Sequence, residues 1–142
     1  MVIEKAQLKD IPQLLEMYGD LYEHNRSVEE AEKTYKKILE KSDYTLLTVK
    51  EDGKVYGTAM VILCSGLTDN FIVVEDVVVR GTERGKGIGK MLFERIDEMA
   101  AENNCFYSML VSSGFRKGAH AFYKKMGYVD DALGFRKVYI EQ

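Results

Sequence analysis

The sequence predicts a mixed α/β (α+β) fold, with a largely antiparallel central sheet of about six to seven strands and about four helices packed on it. Three observations predict it. YTLLTVKEDGKVYGTAMVIL holds two strand-like runs around Asp52-Gly53, the pair that supplies the positive φ angles of a tight hairpin. FIVVEDVVV is apolar on both faces and so reads as a central strand, and strand and helix patterns alternate after it. Early hairpins and later strand-helix-strand units make a sheet antiparallel at one side. A chain of 142 residues suits a single domain over 1–142, so one site is sought.

Taken in order, VIEKAQ is a short strand. Asp10-Ile11-Pro12-Gln13 then sets an N-cap at Asp10, with Gln13 placed to return the hydrogen bond and Pro12 in the first turn, where a missing N–H costs nothing. The helix that follows carries Ile11, Leu14, Leu15, Tyr18, Leu21 and Tyr22 at helical spacing. Ser27 and Glu30 repeat the capping box before a second helix with Val28, Ala31, Tyr35, Ile38 and Leu39. After the hairpin and FIVVEDVVV, GIGKMLFERIDEMAAENN sets Ile88, Met91, Leu92, Ile96, Met99 and Ala100 on one stripe, ending near Asn103-Asn104. FYSMLVSS is another strand, RKGAHAFYKKMG a short helix stopped at Gly127, and YVDD…FRKVYI a closing strand pair.

Composition narrows the function. Apolar residues at 46% and charged residues at 30% exclude a disordered chain. Cys64 and Cys105 lie in apolar stretches without CxxC spacing, which fits buried structural thiols, a reducing cytoplasm and no metal site. The start MVIEKAQLKD is charged early, and no apolar run nears the ~18 to 20 residues of a membrane span, so neither export nor insertion is expected. A net charge of −3 speaks against general nucleic-acid binding. Its distribution is uneven, −6 over residues 1–79 and +3 over 80–142, as if an anionic ligand docked on the later half; chance unevenness of surface charge is the alternative.

The later half also holds VVVRGTERGKGIGKML, a strand running through glycines and cations straight into a helix. Backbone N–H groups over 85–89 can converge there without side chains in the way, and the helix N-terminus adds about half a positive charge. Arg84, Lys86 and Lys90 surround the turn. Spacing separates the anion loops that compete for this reading. A Walker loop is one residue short and is followed by Met91 instead of a hydroxyl; the dinucleotide pattern has Leu92 where its third glycine belongs. What remains is R-x-x-G-x-G, at Arg84, Gly87 and Gly89.

With these residues, VEDVVVRGTERGKGIGKML resembles the central motif of the Gcn5-related N-acetyltransferase (GNAT) superfamily, and AHAFYKKMGY is similar to its C-terminal motif. The element order matches over nearly the whole chain. The resemblance implies a sheet splayed at a cofactor cleft, and acetyl-coenzyme A (acetyl-CoA) as cofactor. It implies that the pyrophosphate sits on amides of Gly85, Lys86, Gly87, Ile88, Gly89 and Lys90 beside Arg84. The pantetheine arm pairs with Val77, Val78 and Val79 as an added strand would.

Glu75 and Asp76 interrupt the central strand, and strict alternation sends them to opposite faces. The resemblance implies a bulge at this level and makes Glu75 the residue that takes a proton from the acceptor amine; a structural carboxylate is the alternative, and Asp76 is the lesser candidate. It likewise makes Tyr123 the donor of a proton to the leaving thiolate, where a core aromatic is the alternative. His120 lies on nearly the same helix face. The family's asparagine before that tyrosine is missing from SSGFRK, where Arg116 or Lys117 is expected to serve a phosphate.

Implied is direct transfer of an acetyl group to a primary amine in a ternary complex, with no covalent enzyme intermediate, since neither cysteine has a histidine patterned to activate it. The first two helices wall the acceptor side with Tyr18, Tyr22, His24 and Tyr35 and with the acids Asp20, Glu23, Glu29 and Glu30, which suits a cationic small-molecule or peptide amine. Core tyrosines and solvated acids are the other reading. A non-catalytic acyl-CoA sensor and a nucleotide-phosphate module stay open as other functions. The closing strand pair would allow a homodimer.

Overall fold

Alternation and turn chemistry build the sheet. In the computed structural model, which describes residues 1–112 and 117–140, five strands stand in the order β1-β2-β3-β4-β5. They are β1 (Val2–Lys5), β2 (Tyr44–Glu51), β3 (Lys54–Ser65), β4 (Asn70–Val79) and β5 (Cys105–Leu110). The first three pairings are antiparallel and β4–β5 is parallel. Asp52 at φ 50° and Gly53 at φ 80° form the two-residue turn between β2 and β3, as Asp-Gly predicts.

Four helices cover the sheet: α1 (Ile11–Tyr18), α2 (Val28–Leu39), α3 (Ile88–Glu102) and α4 (Lys117–Lys125). They create two cores, one on each face. On one side Leu14, Met17, Tyr35, Leu46, Val55 and Val78 pack beneath α1 and α2. On the other, Val49, Val61, Ile72, Val74, Leu92 and Ile96 pack beneath α3, with Phe122 and Tyr123 of α4 against them. Phe93, left off the expected apolar stripe of α3, is fully buried in the second core. There it meets Phe122, Tyr123 and Tyr128 edge-on at centroid distances of 5.6–5.7 Å.

Three expectations change. Ser27 caps α2 as expected, its Oγ accepting from Glu30 N at 3.1 Å. The Asp10 side chain makes no such bond to α1. A one-turn 3-10 segment, Leu8–Asp10, comes first, and the carboxylate accepts from Gln7 N at 2.8 Å and from Lys50 Nζ at 2.6 Å, a buried charge pair that outcompetes capping. Gln13 instead staples the hairpin, donating to Gly53 O at 2.9 Å and accepting from Val55 N at 2.8 Å.

The second correction concerns the strand count. The expected closing pair over 129–140 forms no strand, which leaves five in place of six to seven among the described residues. Alternating apolar residues are not enough for a strand: the backbone needs a partner edge, and this segment runs out with Leu133, Phe135 and Tyr139 exposed.

The third is in β4. Between Thr58↔Val78 and Met60↔Glu75 the register shifts, so Asp76 and Val77 together oppose Ala59. Asp76 takes φ 50° at this bulge. The extra residue cancels alternation, and Glu75 and Asp76 both come to the α1–α2 face instead of dividing between faces. Glu75 pairs with Met60 of that core, and Asp76 lines a cavity there.

Candidate active site

Parallel pairing of β4 with β5 stops at Val74↔Leu110. The two strands part just where the bulge begins, so the sheet is splayed as expected, and residues 75–79 keep pairing only toward β3 among the described residues. The edge of β4 that faces away from β3 there has backbone groups available to an extended ligand.

The chain leaves β4 through Arg80, which ties the end of the strand to β3 and α1. Its Nε donates to Val55 O at 2.5 Å, and its guanidinium reaches Gln13 Oε1 and Glu16 Oε1, each at 3.2 Å. A 3-10 turn, Gly81–Glu83, leads into the glycines. Gly85 at φ 84° and Gly87 at φ 82° sit in the left-handed region with nothing within 4 Å of a Cβ placed on either, so the space around the turn is open and it is the backbone conformation that favours glycine. Gly87 is the N-cap of α3, and the first amides of that helix, on Ile88, Gly89 and Lys90, have no partner within the helix by its geometry. Arg84, Lys86 and Lys90 are exposed around them, Lys86 3.0 Å from Glu83 and Lys90 3.7 Å from Glu94.

Two other glycines set the position of this turn. A Cβ on Gly57 of β3 would stand 2.5 Å from Ile88 Cγ2, so glycine lets the start of α3 lie against the sheet. One on Gly89 would stand 2.9 Å from Phe122 Cζ, so glycine lets α4 close on α3. The bare turn, the free amides and the cations fit a pyrophosphate, and the free β4 edge fits an amide-bearing arm. These are features that acetyl-CoA requires.

On the opposite face a cavity of about 340 Å3 lies between α1, α2 and the bulge. Tyr18, Tyr22 and Asp76 line it, with Leu15, Ile38 and Met60. The Tyr18 and Tyr22 rings stack at 6.5 Å. Burial first, then Asp76, pushes both phenols above their ordinary pKa; Glu75 adds to the effect at Tyr22. Burial raises the pKa of Asp76, and burial followed by the charge of Asp76 raises that of Glu75.

Two of the expected substrate residues have their polar atoms engaged. Tyr35 is buried and its hydroxyl donates to Ala6 O at 2.6 Å. His24 Nε2 donates to Leu15 O at 2.9 Å, and its Nδ1 accepts from Arg26 N at 3.3 Å, so the ring ties the α1–α2 link together. Tyr123 packs in the aromatic group around Phe93. Arg116 falls outside the described residues.

Fold and site together define an acyl-transferase architecture, and the comparisons give it a family. The family model for the acetyltransferase (GNAT) family matches residues 11–128, and the chain belongs to that family. Among solved structures it is similar to one assigned as an acetyltransferase from Agrobacterium tumefaciens str. C58, at 28% identity and a TM-score of 0.90 over 98% of this chain and 100% of that one. It shares its fold with a transcriptional regulator from Bacillus halodurans C-125, at 23% identity and a TM-score of 0.89 over 97% and 99% of the two chains. The same holds for glucosamine-6-phosphate N-acetyltransferase from Arabidopsis thaliana, at 23% identity and a TM-score of 0.88 over 98% of each chain. A comparison with curated proteins found no match. Among the described residues no helix is long and apolar enough to cross a membrane.

Proposed function

We propose that this acetyltransferase is an N-acetyltransferase that uses acetyl-CoA and a primary amine in one ternary complex. The observation that carries the reading is the junction of a β4 edge, residues 75–79, that is unpaired among the described residues, with the bare glycine turn and the first amides of α3. When bound, acetyl-CoA supplies an activated acetyl thioester. Amides of Ile88, Gly89 and Lys90, with Arg84 and Lys86 beside them, hold its pyrophosphate. Backbone groups of Val77, Val78 and Val79 hold its arm, so the side chains of those valines remain free for the two cores.

The acceptor enters from the α1–α2 cavity on the other side of the bulge. Glu75 Oε takes the proton that the ammonium must lose before its nitrogen can attack, a role that its raised pKa suits. Tyr123 Oη gives a proton to the departing sulfur. Most of the acceleration comes from holding the amine against the carbonyl and excluding water.

Calorimetric titration tests the reading. Acetyl-CoA is expected to bind with micromolar affinity and ATP and NAD far more weakly, followed by thiol release when an amine is added. Equal binding of ATP would remove the cofactor assignment. Binding without transfer to any amine would favour an acyl-CoA sensor.

Two free thiols, Cys64 and Cys105, accord with a cytoplasmic setting. The reading includes a homodimer. β5 is the last strand of the sheet, with Phe106 and Met109 exposed on it and Val111 just past it, and the segment 129–140 forms no strand and exposes Leu133, Phe135 and Tyr139. An open edge and an unpaired segment in one chain match when two copies exchange them.

A further inference from the structure

We propose that the acceptor is a compact apolar monoamine, an arylalkylamine or branched alkylamine whose single ammonium is held by Asp76. The proposal rests on the acetyl-transfer reading above and gives it a substrate class.

Charge, size and backbone geometry converge on it. Asp76 is the one carboxylate among the described residues that line the cavity. Its backbone is in the left-handed region inside a strand, whereas the other non-glycine residues there, Asp52 and Asn104, are in turns. The bulge therefore spends a strained conformation on aiming this carboxylate at the α1–α2 face. Around it the wall is mainly apolar and aromatic, Leu15, Ile38, Met60 and the stacked rings of Tyr18 and Tyr22, and two of its polar members, His24 and Tyr35, are bonded to backbone carbonyls. An ammonium at Asp76 leaves the rest of the acceptor against hydrocarbon and aromatic faces, and those reward an apolar body.

The same wall rejects the alternatives. The acids that favoured a polycation, Asp20, Glu23, Glu29 and Glu30, do not line this cavity. Glu23 and Glu30 line a neighbouring depression that shares only His24 and Arg26 with the cavity, and Glu30 is bonded to Arg26 at 2.9 Å. A second ammonium beyond the reach of the adjacent Asp76 and Glu75 would be stripped of water against Leu15 and Ile38. A sugar phosphate would bring its anion toward the Asp76 carboxylate, in a cavity where Arg26, the one Lys or Arg among the described lining residues, is paired with Glu30. At about 340 Å3 the cavity is at the low end of the ~300–1,000 Å3 range of small-molecule sites, which suits a compact acceptor.

The test measures kcat/KM of the full chain, with saturating acetyl-CoA, on 2-phenylethylamine, 3-methylbutylamine, spermidine, kanamycin and glucosamine 6-phosphate. The two monoamines are expected to lead by at least tenfold; a lead by any of the other three overturns the proposal. Calorimetric titration of 2-phenylethylamine into the protein with coenzyme A present separates this proposal from the reading beneath it. Binding without turnover upholds the amine site and sinks the transfer reaction, whereas absent binding sinks the amine site alone. If acetyl-CoA itself does not bind, both fall. Asp76→Asn is expected to raise KM for 2-phenylethylamine at least tenfold at unchanged acetyl-CoA affinity, and an unchanged KM removes Asp76 from the site. Ile38→Glu adds the second carboxylate that the wall lacks. It is expected to shift preference toward spermidine, and failure to do so in a folded variant counts against the charge argument.

Discussion

Two adjacent carboxylates on one face of a strand are an expensive arrangement, and their chemistry follows from their sharing it. Because burial and then the Asp76 charge hold the Glu75 pKa up, Glu75 carries its proton to a higher pH than an ordinary glutamate. Activity should rise with pH as that proton leaves. Asp76→Asn removes the like charge, so the Glu75 pKa falls and the acid limb of the kcat profile moves to lower pH; a limb that stays put or moves up contradicts the assignment. Glu75→Gln should lower kcat by about 10²-fold or more, the usual contribution of a positioned base, while calorimetry finds acetyl-CoA affinity unchanged. The residue types of this site were legible in sequence, the glycine turn most of all, because R-x-x-G-x-G has a backbone meaning independent of what surrounds it. The orientation of Glu75 and Asp76 was not. A bulge depends on how β3 registers against β4, and nothing within VVEDVVV sets that register.

Elements here are tied together by a few non-local contacts, and these make separate predictions. Lys50 lies between Asp10 at 2.6 Å and Glu4 at 3.0 Å, with the Asp10 side chain almost wholly buried. Burial alone would lower the lysine's pKa, but its bonds to Asp10 and Glu4 raise it instead. Lys50→Met leaves the Asp10 carboxylate buried without its cation and should cost about 3–5 kcal/mol in urea unfolding, most of it recovered in the Asp10→Leu/Lys50→Met double variant. Gly57→Ala should cost about 1–3 kcal/mol as its methyl meets Ile88 and Leu92. It should also weaken acetyl-CoA binding in calorimetry, because the displaced turn of α3 carries the anion-facing amides. The hairpin turn at Asp52-Gly53 and the helix start at Ser27 were readable from local chemistry, whereas α1 ends at Tyr18, short of the Leu21 and Tyr22 expected on it. The role of Asp10 was not readable, because its partner Lys50 is 40 residues away and a cap looks the same in sequence whether or not a buried cation claims it.

For the molecule as a whole, the closing segment is where local reading failed, since 129–140 has strand-like alternation yet pairs with no strand, although the outer side of β5 is open among the described residues. Light scattering on the purified chain should give twice the mass of 16.2 kDa, and a variant with Leu133, Phe135 and Tyr139 changed to Ser should return to one. A single mass for the unaltered chain would remove the dimer. The order of helices and strands, by contrast, could be read almost end to end, because each element buries a face that its own spacing declares. Those faces form two cores separated by the sheet. The cofactor turn is braced on the core under α3 through Gly57 and Ile88, and the amine cavity is carved from the core under α1 and α2. Mutations in the second can therefore accumulate without disturbing the first. On the proposed function, the chain can change over evolutionary time which amine it accepts while inheriting its acetyl donor intact, and the sheet is the partition that separates those two histories.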